Sequence, residues 1–127
     1  MPSAPVTVFL ADDSAAIRRR VADILRASAM DVVGEAETPA GSIAGILAAR
    51  PDVVVLDVQL EGGTGLQVLQ AVKRADPGIA FVVFSNNAGP AYRKRYLGEG
   101  AAQFLDKSTE FASLAQAVAQ APSHTPH

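Results

Sequence analysis

Five polar residues stand where short apolar runs end. Asp12 and Asp13 close the first such run, Asp57 another, Ser85 another, and Lys107 follows the last. Three carboxylates brought together repel one another unless something neutralises them. A hard divalent cation does so, and an all-oxygen donor set suits Mg²⁺, which keeps several waters and accepts phosphate oxygens. A lysine adds a point charge for a phosphoryl oxygen, and a serine hydroxyl donates to another. A carboxylate oxygen is a competent nucleophile and gives an acyl phosphate. The chemistry these types support is phosphoryl transfer onto a carboxylate, where the protein's work is positioning and charge neutralisation. Taken singly, each residue is ordinary. An Asp-Asp pair is a helix cap or solvated turn, a lone Asp at a strand end is a turn residue, and a serine or lysine there is structural or solvated. Four run ends that each supply what phosphotransfer needs make coincidence a poor account.

The elements that must position them follow from periodicity. Residues 6–11 are a short apolar run rich in β-branched side chains, read as a buried strand. Residues 12–14 offer helix caps, and Ile17, Val21, Ile24 and Leu25 then fall on one helical face. Residues 30–36 read as a strand with polar residues mixed in, an edge. Ile43, Ile46 and Leu47 mark a second helix that stops before Pro51. Residues 53–56 are four consecutive aliphatics, a strand covered on both faces. A loop with Gly62, Gly63 and Gly65 leads to a helix marked by Leu66, Leu69 and Val72, closed by Asp76-Pro77-Gly78. Residues 79–84 are a fourth strand. Tyr92, Tyr96 and Leu97 mark a short helix with Gly98 and Gly100 at its end. Residues 102–105 are a fifth strand, and Phe111, Leu114 and Val118 the stripe of a last helix. Five βα units in strict alternation mean a parallel sheet with helices on both faces. Five strands are few for a barrel, so the sheet is open and doubly wound. Ligands bind such sheets at the carboxyl ends of the strands, where the five polar residues converge. The division expected is an extension at 1–5, one domain at 6–121 and a disordered tail at 122–127.

Composition narrows the function further. The chain has 127 residues, 49% apolar and 19% charged, enough for one ordinary core. A net charge of −2 argues against general affinity for nucleic acid. The absence of cysteine excludes disulfides, thiolate metal sites and cysteine nucleophiles. No signal peptide is read, and the apolar runs are far short of the roughly 18 residues of a membrane span. The expectation is a cytoplasmic protein.

The segments FLADDS (9–14), VVVLDVQL (53–60), FVVFS (81–85) and AAQFLDKS (101–108), together with Gly65, resemble the receiver domains of bacterial two-component response regulators in order and spacing. The resemblance covers about residues 6–120. It implies a flavodoxin-like (βα)5 fold with strand order 2-1-3-4-5. It implies that Asp57 is the phosphoacceptor and that Asp12, Asp13 and Asp57 bind Mg²⁺ with the backbone carbonyl of Gln59. It implies that Lys107 pairs with the phosphoryl group, that Ser85 is the switch hydroxyl and that Phe104 is the switch aromatic. The donor would be a phosphohistidine on a sensor histidine kinase or histidine phosphotransfer protein. The output would be a contact with an unknown protein, or onward phosphotransfer, through the surface of the fourth helix, fifth strand and fifth helix.

This sequence departs from the family pattern in three places. Leu60-Glu61 stands where many members have Met-Pro, Ser108 where many have Pro, and Asn86 where a small residue is usual. The expectation is that Asn86 crowds an in-line water and slows dephosphorylation, while Asn87 acts the other way by orienting one. Tyr92-Arg93-Lys94-Arg95-Tyr96 is basic and flanked by aromatics. It reads first as a solvated helix face and second as a partner surface, with no nucleic acid expected. Arg18, Arg19 and Arg20 read as solvated or, by the resemblance, as a contact for the phosphodonor. A stand-alone receiver that is a monomer or weak dimer is the leading expectation. The alternatives are the receiver portion of a DNA-binding regulator, a receiver used only for binding, or, remotely, a phosphohydrolase of the haloacid-dehalogenase type. That last class needs a second aspartate where Gln59 stands.

Overall fold

A computed structural model describes residues 4–124. The elements are β1 (Thr7–Ala11), α1 (Ala15–Ala27), β2 (Asp31–Ala36), α2 (Pro39–Ala49), β3 (Val53–Leu56), α3 (Gly65–Ala75), β4 (Ala80–Ser85), α4 (Pro90–Gly98), β5 (Gln103–Asp106) and α5 (Leu114–Gln120). The five strands form one sheet in the order β2-β1-β3-β4-β5. Every pairing within it is parallel. Both the alternation and the strand order agree with the sequence reading.

The sheet separates two apolar layers. Val8, Leu10, Val53, Val55, Val82 and Phe84 face one way, against Leu25 of α1 and Leu114 and Val118 of α5. Phe9, Val54, Leu56, Phe81 and Val83 face the other way, against Ile46 of α2, Leu69 of α3 and Tyr96 of α4. Successive strand residues point to opposite faces, so a strand buried on both must be apolar throughout. β3 and β4 are buried at every position, whereas β2 alternates exposed and half-buried residues, as an edge strand does.

Local caps fix where the helices begin. The Ser14 hydroxyl accepts from the Ile17 N–H at the start of α1. Thr64 and Gln67 form a reciprocal capping box on α3.

Several boundaries move. The fifth strand lies one residue later than expected. The Gly62–Gly65 stretch, read as plain loop, contains half of a small antiparallel hairpin that pairs Gln59 with Thr64 and Leu60 with Gly63. Gly62 turns it at φ +81°, which a side chain resists. Phe111, read as helical, lies in a 3-10 turn before α5. A 3-10 turn over Ala121–His124 leads into the tail expected from Pro122. The rest of that tail, 125–127, and residues 1–3 of the extension lie outside the described residues. Among the described residues no helix is long and apolar enough to cross a membrane.

Candidate functional site

Asp12, Asp57 and Lys107 each sit one residue past the end of a strand, yet stay tied to the sheet by their own backbone, and Ser85 is the last residue of β4. The Asp12 N–H donates to the Ala36 carbonyl at 3.1 Å, the Asp57 N–H to Ala11 at 2.9 Å and the Lys107 N–H to Ser85 at 3.1 Å. These bonds continue the sheet ladder by one rung. The polar side chains therefore emerge together at the carboxyl edge.

Asp12, Asp13 and Asp57 each place an oxygen within 4.8 Å of the others. Asp12 and Asp57 are buried and Asp13 is exposed, so the cluster has one wet side. An oxygen-only donor set of this size, open to water, fits a hard divalent cation. Lys107, which is buried, bridges two of the three. Its Nζ lies 2.6 Å from Asp12 Oδ2 and 3.0 Å from Asp57 Oδ2. Burial alone would lower the lysine's pKa, but its bonds and charge contacts with Asp12 and Asp57 more than offset that and hold it above the usual value. Burial likewise lifts the Asp12 carboxyl, against the downward pull of Lys107 and of the Ser14 N–H. One ammonium facing three carboxylates does not balance them, so the site is short of positive charge.

A cleft of about 270 Å³ opens onto this cluster, lined among others by Asp13, Asp57, Ser85, Asn86, Asn87 and Lys107. Ser85 is buried, and its hydroxyl oxygen accepts from the Asn87 N–H at 3.0 Å. Asn86 and Asn87 are exposed at the rim. Gln59 also lines the cleft, and its N–H is 3.4 Å from Asp57 Oδ1. A second hollow of similar size, lined by Val58, Leu66, Tyr92 and Tyr96, lies beyond Gln59 and Asn87. It has no carboxylate, so the chemistry belongs to the first.

Gly65 lets α3 start against the Asp57 backbone. Its N–H donates to the Val58 carbonyl at 2.7 Å. A Cβ there would overlap the Asp57 carbonyl oxygen and crowd the Leu56 side chain at 3.1 Å.

Phe104 is buried, its ring 6.0 Å from that of Tyr96 in an edge-to-face arrangement. The Tyr96 hydroxyl donates to the Val58 carbonyl at 3.4 Å, next to Asp57, and burial pushes its pKa up to about 12.

Sequence reasoning missed two arginines that belong to this neighbourhood. Arg18 was placed on a solvated or donor-facing patch. Its Nη1 donates to the Asp12 carbonyl at 2.5 Å and its Nε to Glu35 Oε1 at 2.9 Å, with the side chain mostly covered rather than solvated. Arg19 and Arg20 are exposed, although Arg20 stacks over the Phe111 ring at 3.8 Å. Arg93, assigned to a basic helix face, donates to the Phe104 carbonyl at 2.9 Å. No local pattern announces either contact, because each depends on how distant strands and helices register.

Comparisons with known proteins agree with this geometry. The family model described as the response regulator receiver domain matches residues 8–119. The DNA-binding transcriptional activator DevR/DosR of Mycobacterium tuberculosis is 35% identical over 89% of this chain and 52% of its own length. A protein-glutamate methylesterase/protein-glutamine glutaminase of Nocardioides sp. is 26% identical over 91% of this chain but only 32% of its own length. The chain thus spans about half, or less, of the curated relatives it matches. Among solved structures, the signal receiver domain of NarL from Mycobacterium tuberculosis superposes with a TM-score of 0.88 at 32% identity, covering 95% of this chain and 98% of that one. The response regulator domain of Thermotoga maritima CheB gives 0.86 at 25% identity, covering 97% and 100%. Relatives with unlike outputs share the part that aligns here, and in this chain the matched residues 8–119 include the acidic cluster. The chain belongs to the response regulator receiver domain family.

Proposed function

We propose that this domain accepts a phosphoryl group on Asp57 from a phosphohistidine donor and passes the event on through a change of surface. The observation that carries the reading is Lys107 Nζ held between Asp57 and Asp12 in a cleft that also contains Asp13 and Ser85. A carboxylate oxygen of Asp57 attacks phosphorus, the P–N bond to the donor imidazole breaks, and the imidazole nitrogen takes up a proton. Asp12, Asp13, Asp57 and the Gln59 carbonyl would hold Mg²⁺, which supplies the positive charge that this site lacks. Lys107 then exchanges a carboxylate partner for a phosphoryl oxygen.

Ser85 and Phe104 are the switch pair in this reading. Among the described residues the Ser85 hydroxyl accepts from the Asn87 N–H, which leaves its own proton for a phosphoryl oxygen. Asn86 and Asn87, at the rim of the cleft, tune how water reaches the acyl phosphate. A histidine kinase or histidine phosphotransfer protein is the donor in the cytoplasm, and the output partner meets α4, β5 and α5. Beryllofluoride with Mg²⁺, a stable phosphoryl mimic, tests the site without turnover. The reading predicts amide shifts centred on Asp57, Ser85, Asn87 and Lys107 that vanish in Asp57→Asn. Shifts that persist in that variant, or none in the native chain, count against it.

A further inference from the structure

Phe104 has no polar tip, so neither a hydrogen bond at its ring nor water at its edge can set where the ring sits. Whatever holds it must act on its faces and its backbone. Tyr96 supplies one wall, edge-on at 6.0 Å. Arg93 supplies a second contact. Its guanidinium carbon lies 5.3 Å from the ring centroid, within cation–π range, while Nη1 donates to the carbonyl of the same phenylalanine at 2.9 Å. Nη2 is 3.6 Å from Glu110 Oε1, and that oxygen also accepts from the Asp106 N–H at 3.1 Å. One side chain on α4 thus binds the β5 backbone, covers the ring next to it and reaches the segment flanking Lys107.

We infer that Arg93 is a positioning residue that holds Phe104 inward before any phosphoryl group arrives. The inference rests on reading Phe104 as the switch aromatic. To swing out, the ring must displace a guanidinium anchored to its own carbonyl and to Glu110. The aromatic of this chain is therefore held by α4 as well as by events at Ser85. Two consequences follow from linkage. The unphosphorylated chain is biased toward the packing that phosphorylation favours, and a chain so biased accepts a phosphoryl group more readily than one that is not. Glu110 orients the guanidinium fork, so removing its charge weakens the hold without touching the ring.

The test uses the full chain, unphosphorylated, with labelled aromatic rings. Nuclear Overhauser contacts between the Phe104 and Tyr96 rings are measured in the native chain, Arg93→Ala, Arg93→Lys, Glu110→Gln and Asp57→Ala. The native chain and Asp57→Ala should show the contacts fully. Arg93→Ala should lower the ratio of inward to outward rings about tenfold, the scale of one hydrogen bond and one cation–π contact together. Arg93→Lys keeps the charge without the fork and should fall in between, as should Glu110→Gln. Labelling by acetyl phosphate should slow in the same rank order. Unchanged ring contacts in Arg93→Ala, with the remaining amide spectrum native, overturn the inference. So does their absence from the native chain. If Arg93→Ala does not fold, full contacts in Glu110→Gln overturn it instead. Because the contacts are read without phosphate, a native chain that shows them but is never labelled sinks the phosphoacceptor reading and leaves only the hold of Arg93 on the ring standing.

Discussion

Replacing Lys107 by Met keeps an unbranched stem and removes the ammonium that bridges Asp12 at 2.6 Å and Asp57 at 3.0 Å. The cluster then holds three carboxylates and no positive charge. Removing one partner of a fully buried pair costs about 3–5 kcal/mol. Asp13 keeps one side of this cluster in water, so about 2 kcal/mol is the better figure for the site. For a domain of this size each kcal/mol moves the midpoint by roughly 4 °C, so melting without divalent ions should fall by about 8 °C. The sign reverses for Mg²⁺. With the lysine gone, the cation meets one more unpaired negative charge and no ammonium at Asp12 Oδ2, so it binds more tightly. Saturation at a hundred times its dissociation constant contributes about 2.7 kcal/mol, enough to restore the midpoint. Thermal melts from zero to 10 mM Mg²⁺ (roughly the scale needed for a weak carboxylate site) compare the two proteins, and acetyl phosphate labelling of the variant should be slow despite the tighter metal. A variant that melts like the native chain, or gains no more from Mg²⁺ than the native chain does, refutes the charge-deficit reasoning.

Three further outcomes follow from single contacts. Gly65→Ala forces a methyl against the Asp57 carbonyl; overpacking of this kind costs about 1–3 kcal/mol, and labelling at Asp57 should slow while the circular dichroism stays native. The Tyr96 hydroxyl is held up to about 12, so its contribution is complete below pH 10 and is lost as pH rises toward 12. That loss approaches about 2–3 kcal/mol, and urea melts at pH 9 and 11.5 should show it in the native chain and not in Tyr96→Phe. Asn86→Ala opens the rim of the cleft and should shorten the phosphoryl lifetime about three- to tenfold, the scale of one misplaced group near a reacting centre; an unchanged or longer decay time removes Asn86 from the account.

The sheet was legible because burial on both faces forces whole apolar runs, as in Val53–Leu56 and Ala80–Ser85. A parallel sheet then delivers the residue after each run to one edge, which is why Asp12, Asp57, Ser85 and Lys107 were found together. What sequence could not supply was pairing across the chain. Arg18 meets Glu35 because β1 and β2 register Leu10 opposite Glu35, and Arg93 meets Phe104 because α4 packs on β5. Their charges had suggested solvated faces, yet each side chain reaches back to a main-chain carbonyl. The glycines after Leu60 announced a turn but not the two-residue pairing that it closes. Apolar spacing at Phe111 fits a helix and a 3-10 turn alike, and the turn is what sets that ring on Phe84 at 4.8 Å.

The central claim is acyl phosphate formation at Asp57, and intact mass tests it most directly. The native chain and Asp57→Ala are incubated with acetyl phosphate, with and without Mg²⁺. The account predicts a gain of one phosphoryl group, about 80 Da, in the native chain with Mg²⁺ and in no other sample. The same gain in Asp57→Ala would move the acceptor elsewhere. No gain from acetyl phosphate or from a phosphorylated histidine kinase, with the fold intact, would contradict the claim and leave a binding module that works without phosphate.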